Sequence, residues 1–93
     1  MLLNIIYTLE VRDGDNEYNI FVPVEVKANS NFDIVRINEV GEQTAKTYIS
    51  NPTSKTKIGD WYELEYGCRM IRYKNYEIIP DQKSYDLIKL IIH

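Results

Sequence analysis

The alternation of apolar and polar residues between Leu3 and Ala28 constrains this chain more than any other feature. From Leu3 to Val11 every odd position is apolar (Leu3, Ile5, Tyr7, Leu9, Val11), and Asn4, Thr8 and Glu10 between them are polar, with Ile6 the exception. From Tyr18 to Ala28 the apolar set moves to even positions: Tyr18, Ile20, Val22, Val24, Val26 and Ala28. A period of two is the mark of a half-buried strand. The intervening Asp13-Gly14-Asp15-Asn16 is turn chemistry, so the stretch reads as a β-hairpin. Register follows from parity. A two-residue loop at Gly14-Asp15 sets Val11 against Tyr18, Leu9 against Ile20, Tyr7 against Val22, Ile5 against Val24 and Leu3 against Val26. A three-residue loop would put the two apolar sets on opposite faces, so parity selects a two- or four-residue loop. Pro23 lies on the polar face and has no N–H to donate, which predicts a sheet edge or a bulge beside it.

Ser30 followed by Asp33 fits a capping box in its Asp form. Beyond it Ile34, Ile37, Gly41, Ala45 and Tyr48 recur every three or four residues and predict a helix with one face on the sheet. Glu39, Glu42, Gln43 and Lys46 fall on its outer side, and Ser50-Asn51-Pro52 ends it. Gly41 sits mid-stripe, where a missing side chain permits close approach at about 1 kcal/mol of helix propensity. A competing reading starts a strand at Phe32, Ile34 and Val35, with Gly41 as a turn.

After a polar loop (53–57), Tyr62, Leu64 and Tyr66 alternate with Glu63 and Glu65 as a third strand. Apolar parity then changes at Gly67-Cys68, where either a bulge or a tight turn fits. Lys74-Asn75 is a candidate second hairpin turn that would pair Tyr73 with Tyr76, Ile71 with Ile78 and Arg72 with Glu77. The last segment, 85–92, fits a strand through Ile88, Leu90 and Ile92, or a helix through Ser84, Leu87, Ile88 and Ile91. Its β-branched richness favours the strand. The expectation is one small α+β domain over 1–93: an antiparallel sheet of four to five strands with one helix on one face, in the order ββαββ and then a terminal strand.

Ninety-three residues suffice for one modest core. The first residues run straight into the hairpin without the basic start of a signal peptide, no segment is apolar enough to span a membrane, and Cys68 is alone. A cytoplasmic protein without a membrane segment is expected. Net charge is −3, with four Lys/Arg against eight Asp/Glu in 1–52 and seven against six in 53–93. There is no basic arm or acidic tail. Richness in Ile, Asn, Lys and Tyr implies AT-rich codons and points to a low-GC bacterium or its phage.

Catalytic signals are weak. His93 is terminal, where a general base is poorly held. Cys68 has no fixed histidine partner and reads as a small packed hydrophobe. One Cys and one His cannot supply the usual zinc ligands. Glu63 and Glu65 read as one solvated strand face, and the glycines at 14, 41, 59 and 67 are isolated, without a phosphate loop. No enzyme activity, metal or cofactor is expected. Two binding readings remain. Eight tyrosines and one tryptophan suit a protein-interaction module, as in a small accessory or inhibitor protein of a phage or mobile element. If Leu64 faces the core, Trp61 and Phe21 lie on the outer face, and with Tyr62 they are the candidate residues for binding another protein or a second copy. A covering layer on that face is the plainer alternative. The second reading is single-stranded nucleic acid, held by the basic and aromatic residues Arg69, Arg72, Tyr73, Lys74 and Tyr76 of the 69–76 hairpin, with Lys55 and Lys57 on phosphates. Against it, Tyr73 and Tyr76 would equally form a packed cross-strand pair.

Overall fold

In the computed structural model, residues 1–49, 57–65 and 69–92 are described. The first hairpin forms from β1 (Leu2–Asp13) and β2 (Asn16–Lys27), in the register that parity dictates: Val11 opposite Tyr18, Tyr7 opposite Val22, Leu3 opposite Val26. Gly14 supplies the positive φ (62°) that a two-residue loop requires. Past the strand ends the ladder continues through paired bonds between Met1 and Ala28, each 2.9 Å.

The remaining elements are α1 (Ile34–Lys46), β3 (Lys57–Ile58), β4 (Trp61–Glu65), β5 (Arg69–Ile78) and α2 (Gln82–Ile92). The sheet order is β2-β1-β5-β4-β3 with every neighbouring pair antiparallel. β1 is interior and β2 is an edge, as Pro23 indicates.

α1 covers one face. Its cap is Asp33 rather than Ser30: the Asp33 carboxylate accepts from the N–H groups of Asn29 (3.0 Å) and Arg36 (3.4 Å), while the Ser30 hydroxyl accepts from Phe32 (3.1 Å) in the turn before. Ile37, Gly41 and Ala45 are buried against the sheet, whereas Ile34 and Tyr48, at the ends of the expected stripe, stay exposed. Two apolar clusters result, one around Leu3, Ile5, Tyr7, Val26 and Ile37, the other around Leu9, Val11, Ala45, Tyr62, Leu64 and Ile71. Tyr73 packs against both. Its ring meets that of Tyr7 edge-on at 5.7 Å. Both hydroxyls are spoken for by α1: Tyr7 donates to the Ile37 carbonyl and Tyr73 to Asn38 Oδ1, each at 2.7 Å.

Burial raises both phenols, Tyr73 up to about 12 from an ordinary 10 and Tyr7 further, with the neighbouring tyrosines adding to each. The neutral form is favoured more strongly in the folded chain than in the unfolded one. The stabilisation is therefore complete below pH 10 and is lost as pH rises through the folded values. Thermal stability is expected to fall steeply above pH 10, with the last part of the tyrosinate absorbance appearing together with unfolding. A Tm that stays flat to pH 12 would contradict it.

Two sequence expectations are corrected. Lys74-Asn75 is not a turn: β5 runs unbroken from Arg69 to Ile78 beside β1, with Leu9 opposite Tyr73 and Thr8 opposite Asn75. Lys74 is the extra residue of a bulge, and one inserted residue inverts side-chain parity just as a two-residue turn does. The terminal segment is a helix, not a strand. Asp81 accepts from Ser84 through both N–H (3.1 Å) and hydroxyl (2.7 Å), bonds that hold its carboxyl below the usual carboxylate range and start α2. The sheet thus carries a helix on each face. α2 approaches the face opposite α1: Gln82 accepts from Asn4 Nδ2 (2.8 Å), and Tyr85 is fully buried, its phenol raised by that burial and further by the Glu25 carboxylate. Ile6, the exception to the β1 alternation, lies on that face and is buried. β4 and β5 are antiparallel neighbours, with Glu65 opposite Arg69. Gly67 and Cys68, where the parity change was read, lie outside the described residues, as does His93.

Candidate interaction surface

Beyond α2, the second face of the sheet presents Thr8, Glu10 and Arg12 from β1, Asn19 and Phe21 from β2, Met70 and Arg72 from β5, and Trp61 and Glu63 from β4, as the pairings require. Glu10 is its electrostatic centre. Although charged, it is 8 % exposed, and it is paired twice: with Arg72 Nη2 at 3.0 Å and Lys74 Nζ at 3.3 Å. A carboxylate this buried requires such partners, and the bulge at Lys74 brings the second cation to it.

Trp61 lies beside this cluster. The guanidinium carbons of Arg12 and Arg72 are 4.4 and 4.7 Å from its ring centroid, within cation–π range. Arg12 also pairs with Glu17 at 3.0 Å. Trp61 is therefore half-buried under cations, not a bare apolar anchor. Phe21 does stand open on this face, 46 % exposed. Tyr62 departs from its assigned role: at 5 % exposure it belongs to the core under α1, with its hydroxyl 3.2 Å from Glu42.

The basic and aromatic residues of 69–76 are separated by the sheet. Arg72 and Lys74 meet Glu10 on the second face, whereas Tyr73 and Tyr76 pack towards α1. Arg69 donates to the Tyr18 hydroxyl (2.7 Å) and stands 3.8 Å from Asp13. Lys55 lies outside the described residues, and Lys57 is placed by its backbone in β3. Exchanging Glu10 for glutamine should leave Arg72 and Lys74 against a neutral partner and cost on the order of 1 kcal/mol, discounted because both cations reach solvent. The loss should shrink in high salt; a salt-independent loss in urea unfolding would show that packing, not charge, is at work.

A further open apolar surface lies on α2. Tyr85 points to the sheet, while Leu87, Leu90 and Ile91 sit together on the opposite side of the helix, 57, 78 and 80 % exposed. Reading 85–92 as a strand scattered these residues over two faces, so the stripe was missed. The Asp81–Ser84 cap spacing is the signal that could have found it. A hollow of about 390 Å³ is lined by Met1, Lys27, Asp33 and Arg36 among others, with Asp33 committed to capping α1 and Arg36 to Glu39. Among the described residues no group of three or more His, Cys, Asp or Glu side chains is placed to hold a metal, and no helix is long and apolar enough to cross a membrane.

Comparison with protein-family models, curated proteins and solved structures finds no match to this chain.

Proposed function

We propose that the chain is a non-enzymatic protein-interaction module that binds through the outer face of α2. The observation that carries this reading is the contiguous stripe Leu87, Leu90 and Ile91, bare on a helix whose other side is already seated on the sheet. Large exposed apolar side chains in one patch mark surfaces that associate. Phe21 adds an apolar residue on the second face of the sheet. The nucleic-acid reading has less support, because the tyrosines that would stack on bases pack towards α1 and the neighbouring cations are engaged by carboxylates and a phenol. The AT-rich codon usage implied by the composition suits an accessory or inhibitor protein of a phage or mobile element, acting in the host cytoplasm.

A photo-reactive residue at position 90 should capture one defined partner from host cells, whereas one at Gln43, exposed on α1, should not. Leu87→Gln should abolish capture without lowering Tm, since Leu87 already faces solvent. Equal capture from both positions, or capture that Leu87→Gln leaves intact, would overturn the assignment to α2.

A further inference from the structure

Strand β2 is an edge that the rest of the fold leaves half-covered. On the α1 side Tyr18 is exposed and Ile20, Val22 and Val24 are only half-buried, although the same row on β1 is fully buried. On the other side Phe21 is open. The two bonds between Met1 and Ala28 set the phase of the hairpin ladder. Even residues of β2 bond to β1, so the odd residues, 17 to 27, turn their backbone groups outward. A twelve-residue edge of this kind is a template for another strand.

We propose that the occupant is a second copy of this chain, joined antiparallel through β2 about a two-fold axis at Val22. The charge order of the strand selects this partner and this register. Glu17 stands near one end and Lys27 at the other, so the strand is complementary to itself when reversed. With Val22 opposite Val22, Glu17 meets the partner's Lys27 twice over, Asn19 meets Glu25, and Phe21 meets Pro23. The even row pairs Ile20 with Val24 and Tyr18 with Val26, apolar throughout. A slip that sets Phe21 opposite Phe21 would instead bring Glu17 against the partner's Glu25. Pro23 withholds one N–H on each copy, so each facing Phe21 carbonyl goes without a ladder bond, a cost that this register carries. Association closes at two copies, since the pairing consumes both β2 edges and the far edge, β3, is two residues long. This surface is independent of the α2 stripe, so either assignment can fail alone.

The test uses the full chain with Cys68→Ser as background. Light scattering during size exclusion should report a dimer. Lys27→Glu should weaken it roughly tenfold or more, because two opposite-charge pairs become like-charge pairs, and adding Glu17→Lys should restore it. Val22→Cys should oxidise to a covalent dimer, because directly opposed residues of a non-hydrogen-bonded pair lie about 4.5 Å apart at Cα. Ile20→Cys should not, since its copies would be about 13 Å apart. A monomer at all concentrations, a dimer indifferent to Lys27→Glu, or equal cross-linking from positions 20 and 22 would overturn the proposal.

Discussion

Replacing Gly41 by alanine is expected to destabilise the domain by about 1–3 kcal/mol, although alanine is the better helix former by about 1 kcal/mol. A Cβ built at Gly41 would lie 2.7 Å from two ring atoms of Tyr73 and 3.0 Å from the ring of Tyr7. Neither ring is free to swing away. Each is anchored by its hydroxyl to the helix that carries Gly41, Tyr73 through Asn38 and Tyr7 through the Ile37 carbonyl. Relief must come from lifting α1 off the sheet or from breaking one of those bonds. Urea unfolding measures the net effect, and a stabilised Gly41→Ala variant would mean that helix propensity outweighs the contact. Pairing Gly41→Ala with Tyr73→Phe separates the two costs. Loss of the anchor should let the ring move and recover part of the stability, a coupling of the kind a double-mutant cycle isolates.

Tyr85→Ala should cost about 3 kcal/mol, as large aromatic truncations in cores do, and should also release α2. Tyr85 is the fully buried residue of that helix, Ile88 and Ile92 are only half-buried, and the Asn4–Gln82 bond is exposed. An isolated helix of this length is marginal in water. Far-UV circular dichroism should therefore lose helical signal beyond what one substitution in a cooperative domain explains, and amide exchange over 82–92 should rise to the solvent rate. Tyr85→Phe, which keeps the ring, should be nearly silent. If Tyr85→Ala leaves exchange in α2 protected, the helix is held by contacts other than this side chain. The same variant bears on function: if α2 carries the binding stripe, Tyr85→Ala disperses it while leaving the α1 face of the sheet intact.

Much of the candidate surface was only partly legible before the fold was known. The outer placement of Phe21 and Trp61 followed from strand parity alone, since Leu64 and the odd residues of β1 had to face the core. That Trp61 would lie between two guanidiniums did not follow: Arg12 and Arg72 come from different strands, and the ordering of β1 beside β5 decides that they meet. Tyr62 was assigned to binding because tyrosine is a common interface residue, yet its even position beside Leu64 already placed it on the buried side. The stripe on α2 was hidden by a rule of composition, because Ile88, Leu90 and Ile92 resemble a strand to any reading that weighs β-branching over caps.

What the chain determined by itself was local. A period of two, a turn with one glycine and opposite parities of the two runs specified which faces of the first hairpin meet, because a slip of one position would turn every apolar side chain to water, and the structure decided for the two-residue loop. A period of three to four residues specified which side of α1 is buried. The tertiary structure decided whatever two local solutions could satisfy equally. Inverted parity after Tyr73 is consistent with a turn or a bulge, and the bulge prevails because a continuous β5 keeps Tyr76 and Ile78 beside Tyr7 and Ile5 in the core. Residues 82–92 could alternate or coil, and the helix is the form that buries Tyr85 on the side of the sheet where Ile6 is also buried. Short-range periodicity states which residues want burial; where several conformations offer it, the partner surface across the sheet makes the choice.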